Sequence, residues 1–444
     1  MNDTQTDTIS MLADLIARAR KAGADAAEAQ AVESISVSAR LRLGVTEKVE
    51  RSESADITLR VFLGKKLAAV SSSDRGPKAL AELVERAVAM ARTVPEDPFA
   101  GLAAPDEIAR DLPELDLWDD FEPSSAHLLD LARRGEDAAR AVPLVTNSEG
   151  AEAGWNATIA ATVATNGISR TFRGTSSSIA VSAIAANAEG MERDDDWTHK
   201  VYHSDLLAPE EVGASAGRRA AHRLGSRKAP TAQMPVVFDP RVANGLIRHL
   251  VGAIGGPSIA RGTSFLKDYL GKPVMARGIN LIDDPHVKRG LRSHQCDSEG
   301  LPNRRRAIVE DGVLTTWLLD LRSSRQLGLK STGHGAGNSS VSPANMWIEP
   351  GAVTPAELIG DIASGLYVTE LIGMGVNGIT GDYSRGAAGF RIENGELAWP
   401  VSEVTVAGNL KDMFRHLSVA NDLVIRTGID SPTLRIDGMT VAGQ

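Results

Sequence analysis

The densest group of chemically capable side chains lies in "DDPHVKRGLRSHQCDSEG", which offers Asp283, Asp284, His286, His294, Cys296 and Asp297. Carboxylate, imidazole and thiolate are the donors that bind zinc and related ions. Their spacing matches no metal-binding pattern, and the Gly and Pro punctuation points to loop ends rather than one converging face. A metal-dependent hydrolase with a non-standard site, drawing also on His334, is the chemistry this segment would support. The second candidate is the apolar stretch "IRHLVGAIGGPSIARGTS" (247–264), whose single imidazole is His249. A zinc helix needs two ligands on one face and a carboxylate base beside them. Here Leu250 follows His249, and Gly252, Ala253 and Ile254 fill the next turn, so His249 reads as an ordinary helix histidine. "STGHGAGNSSVSP" (331–343) could cradle a phosphate only by leading into a helix, but "ANMWIEPG" after it is extended. "GMGVNGITGDYSRGAAGF" lacks the Lys-Ser/Thr ending of a nucleotide loop. No serine sits in a nucleophile-elbow pattern.

The elements that must position these groups are of mixed type. Apolar Ile9, Leu12, Leu15, Ile16 and Ala19 predict a helix over 8–22, closed by Gly23. Alternation then predicts a strand with Ile35, Val37 and Ala39 on one face, and a hairpin turning at Gly64-Lys65. A second helix fits 78–92. Five prolines within 95–124 mark a linker or surface arm. Ser124 or Ser125 caps a helix through Ala141, Asn166-Gly167 is a strong hairpin signal, and 210–224 returns to helix. Met234–Phe238 reads as a buried strand, and Asp239-Pro240 caps the helix over 240–255. Further turns fall at Asp311-Gly312, Asn394-Gly395 and Asp437-Gly438. The fold class expected is α+β: an N-terminal domain of helices and antiparallel strands (1–230), then a β-rich C-terminal domain (231–444).

With 444 residues, 42% hydrophobic and 24% charged, the chain can bury substantial cores. A net charge of −9 and only 4% aromatics argue against direct nucleic-acid binding. The run Arg304-Arg305-Arg306 is too short to change that and reads as a solvated strand edge. One cysteine, Cys296, excludes a disulfide framework. No stretch is long and apolar enough for a membrane helix, and the start "MNDTQTDTISML" has no signal-peptide pattern, so a cytoplasmic location is expected.

Four segments in order, "GPSIARGTSFLKDYLGKPV", "DSEGLPNRRRAIVEDGVLTTWLLD", "GHGAGNSS" and "GVNGITGDYSRGAAGFRIENGELAWPV", resemble the TldD/PmbA, or modulator-of-gyrase, family over essentially the whole chain. The resemblance implies a cytoplasmic protease of two related subunits that degrades unfolded peptides. The TldD-type subunit carries a His-Glu-x-x-x-His zinc helix and a cysteine ligand near its C-terminus; the PmbA/TldE-type subunit shares the fold without them. Ungapped alignment on Arg261–Ser264 carries the first histidine onto Ile247, the glutamate onto Arg248 and the second histidine onto Gly252. "NDLVIRTGIDSPTLRIDG" contains no cysteine. The resemblance therefore implies a PmbA/TldE-like subunit with no catalytic residue and no metal of its own. Its zinc belongs to a TldD-type partner in a heterodimer, and Arg261, Thr263 and Ser264 would face the peptide chamber or partner. The alternatives are the autonomous hydrolase above and a homo-oligomeric peptide-binding protein, a homodimer included.

Overall fold

The computed structural model describes residues 3–443. Its N-terminal half is one six-stranded antiparallel sheet with helices on a single face. The strands are β1 (Ala26–Arg42), β2 (Val45–Leu63), β3 (Lys66–Ser72), β4 (Val145–Ala164), β5 (Ser169–Asn187) and β6 (Gly190–Lys200), ordered β3-β2-β1-β4-β5-β6. The alternation seen in the sequence sets the layering, because successive strand side chains point to opposite faces. Ala27, Ala29 and Ala31 of β1 pack beneath α1 (Asp3–Lys21) and α2 (Pro77–Thr93). Val37, Ala39 and Leu41 continue on the same face beneath α3 (Ser125–Arg140) and α4 (Pro209–His222). The even-numbered positions give the opposite face its Ser34, Ser36, Ser38, Asn156, Thr158, Ser176 and Ser178, all half-buried.

Small residues let α3 and α4 pack closely. A Cβ on Gly213 would lie 1.9 Å from the Gly135 carbonyl oxygen, so only glycine fits there. Ser124 caps α3 by accepting from the His127 amide, and buried Glu136 of α3 accepts from both Leu43 and Gly44 amides at 2.8 Å. The β1–β2 turn is thereby pinned to the helical layer. Residues 95–124 contain no strand and cross the surface as the expected arm.

The C-terminal half holds two sheets. β7 (Ala232–Phe238), β12 (Ser364–Ile372), β13 (Asp382–Glu393), β14 (Glu396–Asn409) and β17 (Leu434–Ala442) close on themselves in the order β14-β13-β12-β7-β17, because β17 also pairs with β14; β15 (Leu417–Val419) adds to β17. The second sheet runs β10 (Val313–Leu314), β9 (Arg306–Glu310), β8 (Leu281–Asp284), β11 (Asn345–Ile348) and β16 (Ile429–Asp430). Between them, α5 (Pro240–Ile254) runs through the largest core, followed by α6 (Gly256–Ala260) and α7 (Leu321–Leu327).

Two details differ from the sequence expectation. Asp437-Gly438 is not a hairpin turn: it lies inside β17, at a register shift between Ile436 and Met439 that bulges the strand against β7. "GMERDDDWTHK", without an apolar alternation, is nevertheless strand β6. Its acids are stabilised by arginines from elsewhere. Asp194, 7% exposed, meets Arg223 and Arg241; Asp196, 6% exposed, meets Arg219 and Arg426. Arg241 and Arg426 belong to the C-terminal half, so this network ties the two halves together.

Candidate functional site

Helix α5 is the element on which a metal site would have to be built. Its start is as its residue types require: the Asp239 side chain accepts from the Arg241 amide at 3.0 Å, and Pro240 needs no donor partner. Asp239 also accepts from the Tyr367 hydroxyl at 3.1 Å. The inward face is Ala243, Leu246, Ile247, Leu250, Ala253 and Ile254, with Ile247 wholly buried. Arg248 and Gly252, one turn apart, are exposed together.

In this chain the two aligned histidine positions fall on different faces of α5. Positions five apart on a helix differ by about 140°, so Ile247 faces the core while Gly252 faces out. The open face that could present groups is the one bearing Arg248 and Gly252. His249 lies between the two faces, edge-on to Tyr383 with ring centroids 5.9 Å apart. Burial, with Arg385 nearby, pushes its pKa below the usual histidine value. Its Nε2 finds no hydrogen-bond partner.

The helix breaks where a neighbouring backbone enters. Leu318 donates to Ile254 O at 3.1 Å and accepts from the Gly256 amide at 2.7 Å. A Cβ on Gly256 would meet Ser323 Oγ at 2.2 Å and Leu319 Cδ2 at 2.8 Å, which explains the glycine. Beyond it, Arg261 and Thr263 are exposed. Ser264 is buried instead: its hydroxyl donates to Ala253 O at 2.6 Å and accepts from the Leu266 amide at 3.0 Å. It secures the end of α5 and does not face outward.

The ligand-capable segment 283–297 disperses. Asp283 and His334 pair at 3.1 Å in a buried site, the other His334 nitrogen meeting Thr332 Oγ1 at 2.8 Å. His286 Nε2 meets Asn303 Oδ1 at 2.8 Å, and His294 Nδ1 meets the Arg292 carbonyl at 2.9 Å. The Asp284 side chain accepts from the His286 amide. Arg170 donates to Cys296 Sγ at 2.6 Å, while burial pushes the thiol's pKa up. Asp297 accepts from the amides of Glu299, Leu301 and Gly335; burial raises its pKa to about 6 in spite of those bonds. Glu299 is raised further, to about 8, by burial and the nearby Asp297 charge. His294, Cys296, Asp297, Arg170 and Arg292 do border a cavity of about 450 Å³ between the N-terminal sheet and the C-terminal half.

The final stretch offers no substitute donor. Both Asp422 oxygens hold Thr433, and Asp430 accepts from the Thr427 and Gly428 amides. Among the described residues, no three of His, Cys, Asp and Glu form a group able to hold a metal ion. An isoleucine in the core, a cationic Arg248 and a side-chain-free Gly252 do not fit zinc, and no chemical step is routed through it. The arginine-bound acids of β6 were missed from sequence because the burial of a charged strand depends on partners distant in the chain.

The comparisons define first a class. Sequence profiles described as PmbA/TldA metallopeptidase domain 1, central domain and C-terminal domain match residues 27–91, 118–224 and 231–443. This is a metallopeptidase scaffold, covered in three consecutive segments. Metalloprotease PmbA of Escherichia coli O157:H7 is 40% identical over 422 residues, covering 95% of this chain and 93% of its own length. A PmbA homolog of Haemophilus influenzae is 36% identical over 431 residues, covering 96% and 94%. The chain belongs to the PmbA/TldD family. TldE from Thermococcus kodakarensis has the same fold, with a TM-score of 0.87 at 21% identity over 98% of this chain and 100% of that one.

Proposed function

We propose that this chain is a PmbA/TldE-type, non-catalytic subunit that completes a cytoplasmic heterodimeric zinc metallopeptidase acting on unfolded peptides. The observation that carries the proposal is the replacement of metal chemistry on α5: Ile247 is packed into the core, and the open face presents Arg248 and Gly252. The zinc and the base are assigned to a TldD-type partner. The half-buried Ser, Thr and Asn face of the N-terminal sheet supports the peptide-handling part, since hydroxyls and amides bond an extended backbone without demanding a sequence. No helix among the described residues is long and apolar enough to cross a membrane.

The test is reconstitution. An unfolded peptide should be cleaved when this chain and a TldD-type subunit are mixed, and by neither alone. Full-rate cleavage by the TldD-type subunit alone overturns the proposal, as does zinc-dependent cleavage by this chain alone.

A further inference from the structure

β3 covers only residues 57–63 of β2, pairing Ile57 with Ser72 through Leu63 with Lys66. Residues 45–56 therefore pair with β1 on one side and, among the described residues, with no strand on the other. The sheet's opposite edge is guarded differently: Arg219 and Arg426 donate to the Asp195 and Trp197 carbonyls of β6. The free run of β2 contains no proline, and its turn is fixed by Glu136. It is a preorganised row of backbone donors and acceptors, the kind of edge that recruits another strand.

Its sequence, "VTEKVERSE" over 45–53, is complementary to itself. If two copies lie antiparallel about a twofold axis at Val49, residue i of one faces residue 98 − i of the other. Glu47 then faces Arg51, Lys48 faces Glu50, Thr46 faces Ser52, and the two Val49 side chains meet at the axis. Directly opposed unlike charges stabilise antiparallel pairs, and like charges weaken them. Val49 and Val45 are 47% and 68% exposed in the single chain, so apolar surface lies at and near the axis. Within one chain Lys48 pairs with Glu50, Glu47 with Arg40, and Arg51 with Glu53 and with Glu122 of the arm; all of these side chains are roughly half exposed, so they can exchange partners.

We infer that the free β2 edge is a self-association surface, joining a second copy of this chain through an antiparallel β2–β2 contact in that register. It is tested on the chain alone, without cleavage as a readout, so that its failure and the failure of the proposed catalytic pairing are told apart.

Light scattering of the purified chain should give twice the 46.9 kDa mass. Val49→Cys should form a disulfide-linked dimer under mild oxidation. Glu47→Cys should not, since its copies would sit four residues apart, roughly 13 Å, beyond disulfide reach. The unmodified chain reports any linkage through Cys296. Lys48→Glu or Glu50→Lys places like charges opposite twice per dimer and should weaken it at least about fivefold; the double exchange should restore it. A monomer at tens of micromolar, equal crosslinking at 47 and 49, or no rescue by the double exchange overturns the inference. All four positions are solvent-exposed, so a folded variant is expected, and circular dichroism checks it.

Discussion

Replacing Ile247 with histidine tests the assignment of α5 most directly. The side chain is wholly buried among Leu246, Leu250 and Ile254. Losing its burial costs about 1.5–3 kcal/mol, and an imidazole left without a partner adds about 1–3 kcal/mol. A net loss near 3–4 kcal/mol is expected, read as a lower urea midpoint at unchanged slope. Because burial favours neutral imidazole, the variant's folded-state pKa falls below the unfolded value. The penalty should thus deepen as pH drops below about 6.5. Adding Gly252→His should not rescue it with zinc, since in this chain position 247 is packed into the core while 252 faces solvent. Arg248→His with Gly252→His is the contrasting pair: one turn apart, exposed, and with nothing within 4 Å of a Cβ at Gly252. Zinc at 100 times its dissociation constant should stabilise that pair by about 2.7 kcal/mol. Stoichiometric zinc on the 247/252 variant, or an unchanged midpoint for Ile247→His, would refute the orientation.

Other outcomes follow from the same structure. Ser264→Ala should lower stability by about 1–2 kcal/mol through its lost bonds to Ala253 and Leu266, measured by denaturant titration, and leave reconstituted cleavage by the folded fraction unchanged. Gly213→Ala should cost about 3 kcal/mol or prevent folding, because its Cβ meets the Gly135 backbone rather than a movable side chain; thermal melts report it. Glu299, raised from 4.5 to about 8, contributes stability that is complete below its unfolded pKa and is lost as pH rises through 8. Glu299→Gln should flatten that decline between pH 4.5 and 8 in melts across buffers; an unaltered slope would remove Glu299 as its source.

Local signals were legible in the sequence wherever the chemistry is local. The Asp239-Pro240 start of α5, the Ser124 cap and the Asn166-Gly167 hairpin each depend on a few adjacent residues, and each occurs as expected. Asp437-Gly438 was misread because two more strands, β7 and β14, hold the chain extended through it. β6 was hidden for the corresponding reason: its aspartates read as surface until Arg219, Arg223, Arg241 and Arg426 are brought around them. The rotation of α5 was not legible either, since helical spacing gives an apolar face but not how an aligned pair straddles it. Ser264 reads as an accessible hydroxyl in sequence; only the returning chain at Ala253 turns it inward.

The arginine network on β6 also bears on how the chain can be divided. A fragment ending at residue 230 would keep Arg219 and Arg223 but lose Arg241 and Arg426, leaving Asp194 and Asp196 with half of their counter-charge. The same cut would remove the side chains that cover these acids, and would bare to solvent the β6 edge whose Trp197 carbonyl Arg426 caps. The seam between the halves is thus knit by charge, so a boundary legible in sequence at residue 230 is one across which each half completes the other's ion pairs.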